Sequence, residues 1–197
     1  MASPRTQAAT ALRSMPTHEP RTRHPDRLIL LVGSAALFLA ILMLEAASLL
    51  MAFHGGAMVS VWTANGLAAG VLVAAPRRYW PVLVGVIASA LVAGQLIALG
   101  GWRADHLVLV LADLAEILLV AWIIHRYLPA ISGEASGYLR LGRVALVATL
   151  AGCGVSTALA IGAQVAMHGG TFIISAQEWF RAHVLGMVSM GMITEVA

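Results

Sequence analysis

Three acidic residues lie within long apolar segments of the sequence, namely Glu45, Asp113 and Glu116. A charged group at the centre of an apolar membrane helix costs about 2.5–3.5 kcal/mol on insertion scales, so such residues are usually paired or functional. Asp113 and Glu116 are three residues apart and therefore share one face of a helix. These carboxyl groups are suited to receive a ligand, a proton or a cation.

Other polar side chains accompany the acids at similar depths. With a rise of 1.5 Å per residue, most of them lie about 6–14 Å from the same, outer end of their segments. The other halves of the segments are almost purely apolar. We predict a polar pocket that opens outward and binds a ligand through Glu45, Asn65, Asp113, Glu116, His183, Trp62 and Gln95. An alternative stays open, in which these residues only join helices through hydrogen bonds.

Metal binding and catalysis have weaker support in the sequence. Four histidines, His54, His106, His168 and His183, fall on the outer side, and imidazole with carboxylate is a common ligand set. Three of the four lie in predicted turns, however, and no His-x-x-x-His pair exists, so neither a metal site nor a cofactor is predicted. The chain also lacks the Gly-x-Ser-x-Gly, His-Glu-x-x-His and phosphate-loop motifs. We therefore do not expect this chain to be an enzyme.

The composition indicates which elements position these residues. Of the 197 residues, 60% are hydrophobic and 11% are charged, whereas soluble domains average about 25% charged residues. The chain is therefore expected to be an integral membrane protein with the lipid bilayer as its surroundings. Its twelve basic residues are all Arg, and no basic cluster is interleaved with aromatic residues, which argues against a nucleic-acid partner.

Six apolar segments predict an all-α, polytopic transmembrane helix bundle. Each is long enough to cross about 30 Å of hydrocarbon, or nearly so. A backbone that has no water to hydrogen-bond there must form a helix, in which its polar groups bond to one another. The predicted spans are Leu28–Phe53, Val59–Ala75, Tyr79–Leu99, Leu107–Ile124, Val144–Met167 and Trp179–Val196. Residues 1–27, which are rich in Pro and Arg, are expected to form a disordered cytoplasmic tail, and residues 28–197 the transmembrane domain.

The distribution of arginine predicts the orientation. Placing both termini in the cytoplasm puts eight arginines near span ends inside and two outside, as the positive-inside rule favours. The inner set is Arg21, Arg23, Arg27, Arg77, Arg78, Arg126, Arg140 and Arg143, and the outer set is Arg103 and Arg181.

Small residues at four-residue spacing predict close helix packing. One pattern is Gly66 to Gly70, and a longer one is Ala148, Gly152, Ser156 and Ala160. Cys153 is expected to be a small core residue. The aromatic residues near span ends are interpreted as a membrane-interface belt, comprising Trp62, Tyr79, Trp80, Trp102, Trp122, Tyr127 and Trp179.

The outer turns contain a short repeat. Residues 53–58 and 167–172 both carry His-Gly-Gly after an apolar residue, and each precedes a Trp. A parallel repeat would make the six spans part of an eight-helix unit. Chance similarity in an Ala- and Gly-rich sequence is the alternative.

Three stretches together resemble a known family of membrane domains. Residues 59–68, with Trp62, Asn65 and Gly66, resemble the second helix of the type-one membrane-associated sensor (MASE) domain of bacterial signalling proteins, with Thr63 and Ala64 where Pro is common. Arg78-Tyr79-Trp80-Pro81 followed by Gly85 is similar to that family's basic turn. Trp179 to Met187 resembles its Trp…Asp-Ala-Leu-Gly-Met element, with His183 at the usual Asp position.

The resemblance implies a sensory module of the bacterial inner membrane that detects a small periplasmic ligand. Such domains signal to a cytoplasmic output domain, a kinase or a diguanylate cyclase, and homodimers are expected by analogy. No output sequence follows the last span, so the chain is expected to be truncated before its output or to act through a partner. A small transporter or substrate-binding membrane component, and an assembly subunit without a ligand, are the alternative hypotheses.

Overall fold

The protein is helical throughout the described residues. A computed structural model describes residues 24–54, 61–101, 104–127, 137–168 and 173–194, and no strand occurs within these ranges. Six α-helices occur there in chain order, so the all-α prediction is confirmed for this part of the chain. They are α1 (His24–His54), α2 (Thr63–Ala74), α3 (Trp80–Leu99), α4 (Ala104–Tyr127), α5 (Gly137–His168) and α6 (Ile173–Thr194), with a 3-10 turn at Arg77–Tyr79 before α3.

The chain divides into two units, Met1–Gly33 and Ser34–Ala197. In the first unit, the described part is the start of α1, where Leu28 and Ile29 expose most of their side-chain surface. Helix α1 begins at His24, four residues before the predicted start of the first span at Leu28. The rest of that tail, residues 1–23, lies outside the described residues. The side-chain contacts described below belong to the second unit.

Four helices are long and apolar enough to cross a membrane. They cover Leu28–Met51, Arg77–Leu99, His106–Tyr127 and Leu139–Met167, which supports the expectation of a membrane protein. Helix α2 is apolar but has only 12 residues, and a helix of that length extends about 18 Å. Helix α6 carries Glu178, Arg181 and His183 in its first half and is not one of these four.

The predicted small-residue stripe of α5 forms a helix-packing surface. Ala148, Gly152, Ser156 and Ala160 are all buried, and α5 packs against both α4 and α6. A methyl group at Gly152 would overlap the side chain of Val120 on α4. The interpretation of this stripe as a packing surface is confirmed, because the absence of larger side chains lets the two backbones approach closely. Cys153 is a buried residue of the same surface, as predicted.

Helix α6 is joined directly to the start of α2. The backbone N–H of Trp62, the N-cap residue of α2, donates to the carbonyl oxygen of Ala182 at 2.9 Å. One turn later, a methyl group at Gly186 would overlap the backbone carbonyl of Trp62. Glycine is therefore the residue that permits this approach, and it fixes the position of the intervening His183.

The Trp80-Pro81 pair forms the junction between α2 and α3. The indole N–H of Trp80 lies 2.9 Å from the carbonyl oxygen of Leu72 and 3.3 Å from that of Ala75, so it satisfies carbonyl groups at the end of α2 that have no partner within the helix. Pro81 occupies the first turn of α3, where a missing N–H is tolerated.

Candidate functional site

Polar side chains from all six helices meet in the interior of the second unit. We call this group the interior polar cluster. Its core members have at most 2% of their surface exposed, and they include every polar residue that the sequence analysis selected for the site. The members are Glu45 on α1, Asn65 on α2, Gln95 on α3, Asp113 and Glu116 on α4, Cys153 on α5 and His183 on α6.

His183 and the two acids of α4 form the centre of the cluster. The Nδ1 atom of His183 lies 2.6 Å from Oε2 of Glu116 and 3.8 Å from Oδ1 of Asp113. As their three-residue spacing predicted, Asp113 and Glu116 lie on one face of α4, and both approach His183 of α6. Asn65 completes the arrangement, because its Nδ2 donates to Oδ1 of Asp113 at 3.0 Å and lies 3.3 Å from Nδ1 of His183.

The short contact between Nδ1 of His183 and Oε2 of Glu116 requires one proton between the two atoms. If Nδ1 carries it, the imidazole donates to a Glu116 carboxylate; if Glu116 carries it, Nδ1 accepts. The nearby Nδ2 of Asn65 can donate to Nδ1 only in the second arrangement. The cluster thus has two hydrogen-bond patterns that differ in the position of a single proton.

Glu45 extends the cluster towards α1 and α3. Its polar neighbours include Asp113, Gln95 and Trp62, yet neither carboxyl oxygen makes a hydrogen bond of normal geometry with a described residue. The packing against α3 is close, since a Cβ atom at Gly94 would lie 2.6 Å from Cγ of Glu45. Glycine at this position leaves room for the acidic side chain between the helices.

Two tryptophans pack against the imidazole of His183. The ring centroids of Trp179 and Trp62 lie 4.7 Å and 5.5 Å from that of His183, and the planes are inclined by 20° and 13°. The two indole rings also stack on each other, with centroids 6.0 Å apart. Trp62 and Trp179, which the sequence analysis assigned to the interface belt, therefore also pack against a site residue inside the bundle.

Helix α5 contributes two residues that the sequence analysis did not assign to the site. The thiol of Cys153 lies 3.6 Å from Oε1 of Glu116, and the hydroxyl of Ser156 accepts a hydrogen bond from the indole N–H of Trp179 at 3.3 Å. Both residues belong to the small-residue surface of α5. The four-residue spacing of small residues along α5 was the sequence signal that could have assigned them to the site. A polar member of such a packing stripe must face the neighbouring helix.

Many polar atoms of the cluster have no hydrogen-bond partner among the described residues. Buried polar groups in native proteins are almost always paired, so these atoms are the ones available to a further hydrogen-bond partner. The atoms are both carboxyl oxygens of Glu45, Oδ1 of Asn65, Oδ2 of Asp113, Oε1 of Gln95, Nε1 of Trp62 and Nε2 of His183.

The core of the cluster is buried. Glu45, Asn65, Asp113 and Glu116 expose no surface, whereas the sequence analysis expected a pocket that opens outward. Entry of a ligand therefore requires a movement of helices or of segments next to them. The predicted turn repeat at residues 53–58 and 167–172 lies mostly outside the described residues.

The histidines do not act as one group. His106 on α4 is buried, and its Nδ1 atom has no partner among the described residues. His54 and His168 end α1 and α5, and their side chains lie outside the described residues. His183 alone among the four occurs in the described interior polar cluster.

The cluster does contain a ligand set that the sequence did not predict. Asp113, Glu116 and His183 each offer one donor atom, and these atoms all lie within 4.8 Å of one another. No histidine pair on one helix marks this set in the sequence, because the imidazole comes from α6 and the carboxyl groups come from α4.

Comparison of the chain with protein-family models, with curated proteins and with solved structures finds no match.

Proposed function

We propose that this chain is a membrane-embedded sensory domain whose interior polar cluster binds a small ligand or ion and whose helices signal to a cytoplasmic output module. The proposal is supported by the four helices that can cross a membrane and by the motifs similar to MASE domains. We further propose six membrane spans in the bacterial inner membrane, with both termini in the cytoplasm, because arginine is concentrated on one side.

The observation that carries the proposal is the convergence of all six helices on one polar cluster. A group bound there contacts side chains from elements that are far apart in the sequence, such as Glu45 and His183. Its binding free energy then depends on how the helices are arranged. A ligand that binds one arrangement more tightly shifts the population towards it, which is the minimum requirement of a sensor.

Helix α6 is the proposed transmitting element. It carries His183 and Trp179 in the cluster, and it contacts the start of α2 through Ala182 and Gly186. Because packed interfaces have discrete arrangements rather than a continuous range, a small change around His183 is expected to move α6 relative to α2. In the proposed topology α6 leads to the cytoplasmic C-terminus and to the output module of a homodimer.

A transporter is the second candidate, and the buried carboxyl group of Glu45, which forms no ion pair among the described residues, favours it. An intramembrane acid without a fixed partner is a common feature of cation and proton pathways. A transporter must also open its site to both sides. The scarcity of polar residues in the inner halves of the predicted spans argues against that, so the sensor remains the preferred function.

The test uses the purified chain in lipid nanodiscs and in sealed proteoliposomes. Thermal unfolding and tryptophan fluorescence are measured with a panel of carboxylic acids, amino acids, polyamines and divalent metal chlorides. The variant Glu45→Gln/Glu116→Gln removes two cluster carboxylates, and Glu178→Gln is the matched control on α6.

A sensor predicts a compound that stabilises the wild type and Glu178→Gln but not the double variant, without entering the proteoliposomes. Accumulation of that compound inside the vesicles would instead establish the transporter. If no compound distinguishes the double variant from the wild type, the cluster serves assembly alone and the proposal is wrong.

A further inference from the structure

The imidazole of His183 faces two carboxyl groups with the same nitrogen atom. Nδ1 lies 2.6 Å from Oε2 of Glu116 and 3.8 Å from Oδ1 of Asp113. All three side chains are buried, and α4 supplies both acids at a spacing of one helical turn. One nitrogen and two oxygens therefore surround a small volume from three directions.

We propose that Asp113, Glu116 and His183 bind one divalent transition-metal ion, with Zn²⁺ as the preferred cation. The cluster contains three carboxyl groups, including Glu45, and a single imidazole. Among the described residues the ion pairs of Asp113 and Glu116 are both formed with His183, and Glu45 forms none. A divalent cation compensates two buried negative charges at once, which a single imidazolium does not.

The donor set determines the class of metal. One imidazole nitrogen with two carboxylate oxygens suits zinc and its neighbours in the first transition row, whereas Mg²⁺ and Ca²⁺ prefer oxygen ligands alone. Zinc bonds of about 2.0–2.2 Å in a tetrahedral site place donor atoms about 3.3 Å apart. The separations of 2.6 Å and 3.8 Å from Nδ1 of His183 bracket that value, and all three donor atoms lie within 4.8 Å of one another, so side-chain adjustments of about 1–2 Å produce the site.

The orphaned polar atoms around the triad point independently to a bound cation. Oδ2 of Asp113 and Oδ1 of Asn65 are buried without a hydrogen-bond partner among the described residues. The amide atom of Asn65 that lies near the triad is instead Nδ2, 3.3 Å from Nδ1 of His183. Amide oxygen and nitrogen exchange places by a half-turn of the side chain. That turn directs Oδ1 of Asn65 towards the triad, so the amide oxygen is the proposed fourth ligand.

The unpaired carboxyl group of Glu45 is the second such observation. It is fully buried and interacts electrostatically with Asp113, but it has no hydrogen-bond partner among the described residues. A cation bound by Asp113 would attract this charge as well. Glu45 would then act as a positioning residue that raises the affinity for the cation without coordinating it.

This inference deepens the proposed function, since it names the ligand class of the same cluster, and the two can fail separately. If metal chlorides have no effect while an organic compound acts through the cluster, sensing stands and the metal assignment falls. If Zn²⁺ binds the triad but α6 does not respond, the metal site stands and sensing falls.

The experiment measures binding of ZnCl₂ to the chelator-stripped full chain in nanodiscs by calorimetry, with MnCl₂ and MgCl₂ for comparison. We expect one Zn²⁺ per chain, weaker binding of Mn²⁺ and none of Mg²⁺. Asp113→Asn, Glu116→Gln and His183→Asn preserve side-chain size and should weaken Zn²⁺ binding at least 30-fold. The controls Glu178→Gln and His106→Asn, which alter an acid and a buried histidine outside the triad, should remain within twofold of the wild type.

X-ray absorption of the Zn²⁺-loaded wild type is independent of variant folding. A first shell of one imidazole nitrogen and oxygen atoms, without sulfur, is expected. A shell containing the Cys153 thiolate, an absence of stoichiometric binding, or equal binding by the triad and control variants would overturn the assignment.

Discussion

His183 and Glu116 form the shortest polar contact of the interior cluster, with 2.6 Å between Nδ1 and Oε2. The two residues lie 67 positions apart in the sequence, one on α6 and one on α4, and neither has more than 1% of its side chain exposed. A hydrogen bond involving an ionised group is about twice as strong as a neutral one. This contact is therefore a principal link between the two helices.

Replacing Glu116 by Gln should destabilise the fold. The amide preserves the shape of the side chain but removes the charge that His183 faces, and the loss of a buried partner costs about 1–3 kcal/mol. The free energy of unfolding, measured by titration with sodium dodecyl sulfate from mixed micelles, should decrease by that amount. Glu178→Gln, on the half-buried surface of α6, should change it by less than about 0.5 kcal/mol.

A double-mutant cycle with His183→Asn isolates the pair. Residues in direct contact couple by about 0.5–3 kcal/mol, so the double variant should be more stable than the sum of the two single effects predicts. Additive effects would show that the contact contributes no net stability, and the packing of α6 against α2 and α5 would then hold α6 in place.

Glu45→Gln should not lower the free energy of unfolding, in contrast to Glu116→Gln. The wild-type carboxyl group has no hydrogen-bond partner among the described residues, so its burial is not compensated as that of Glu116 is. A Gln amide can donate to Oε1 of Gln95, a neighbour that also has no partner among the described residues. We expect unchanged or increased stability, by up to about 2 kcal/mol, in the same unfolding titration. A loss similar to that of Glu116→Gln would mean that Glu45 is a structural member of the network.

Gly186→Ala should disturb the contact between α6 and α2. The added methyl group overlaps the backbone carbonyl of Trp62, which cannot rotate away as a side chain can. Overpacking of this kind costs about 1–3 kcal/mol, and the change should also reduce the stacking of Trp62 on His183, observed as a shift in tryptophan fluorescence. Gly162→Ala on α5, where no heavy atom lies within 4 Å, should leave both stability and fluorescence close to those of the wild type.

The sequence predicted the composition of the cluster because intramembrane polar residues are rare enough to be recognised one by one. Glu45, Asn65 and His183 each interrupt an apolar segment, and all three are buried together. The pairing could not be predicted in the same way. Hydropathy periodicity determines which face of a helix is polar, but not which other helix that face meets, so the contact of His183 with Glu116 required the tertiary structure.

The packing of the two tryptophans on His183 could not be predicted for a related reason. Trp62 and Trp179 lie near the ends of predicted spans, where the amphipathic indole ring is favoured by a membrane interface. Their position in the sequence does not reveal that α6 approaches α2 closely at Gly186 and brings both rings against His183. Close approach depends on a single missing side chain, and its significance is visible only once the neighbouring backbone is known.

Ser156→Ala should weaken the attachment of Trp179 to α5. It removes the acceptor of the indole N–H, which lies 3.3 Å from the Ser156 hydroxyl, and leaves that donor without this partner in a partly buried position. A loss of about 1 kcal/mol is expected. Trp179→Phe provides the test by a double-mutant cycle, because Ser156→Ala should cost little in a background that has no indole N–H. An equal cost in both backgrounds would assign the effect to helix packing.

Labelling of Cys153 should report whether the enclosed cluster opens. The thiol is the only one in the chain, has no exposed surface and lies next to Glu116, so N-ethylmaleimide reaches it only when α4 and α5 separate or when the chain unfolds. We expect labelling in nanodiscs to be at least 100-fold slower than labelling of the same thiol in the chain unfolded by sodium dodecyl sulfate. A ligand that binds the cluster and stabilises the packing of α4 against α5 should slow the labelling of Cys153 further. Labelling of Cys153 in nanodiscs as fast as in the unfolded chain would show that the interior polar cluster is permanently accessible to solutes, and the requirement for movement during ligand entry would be wrong.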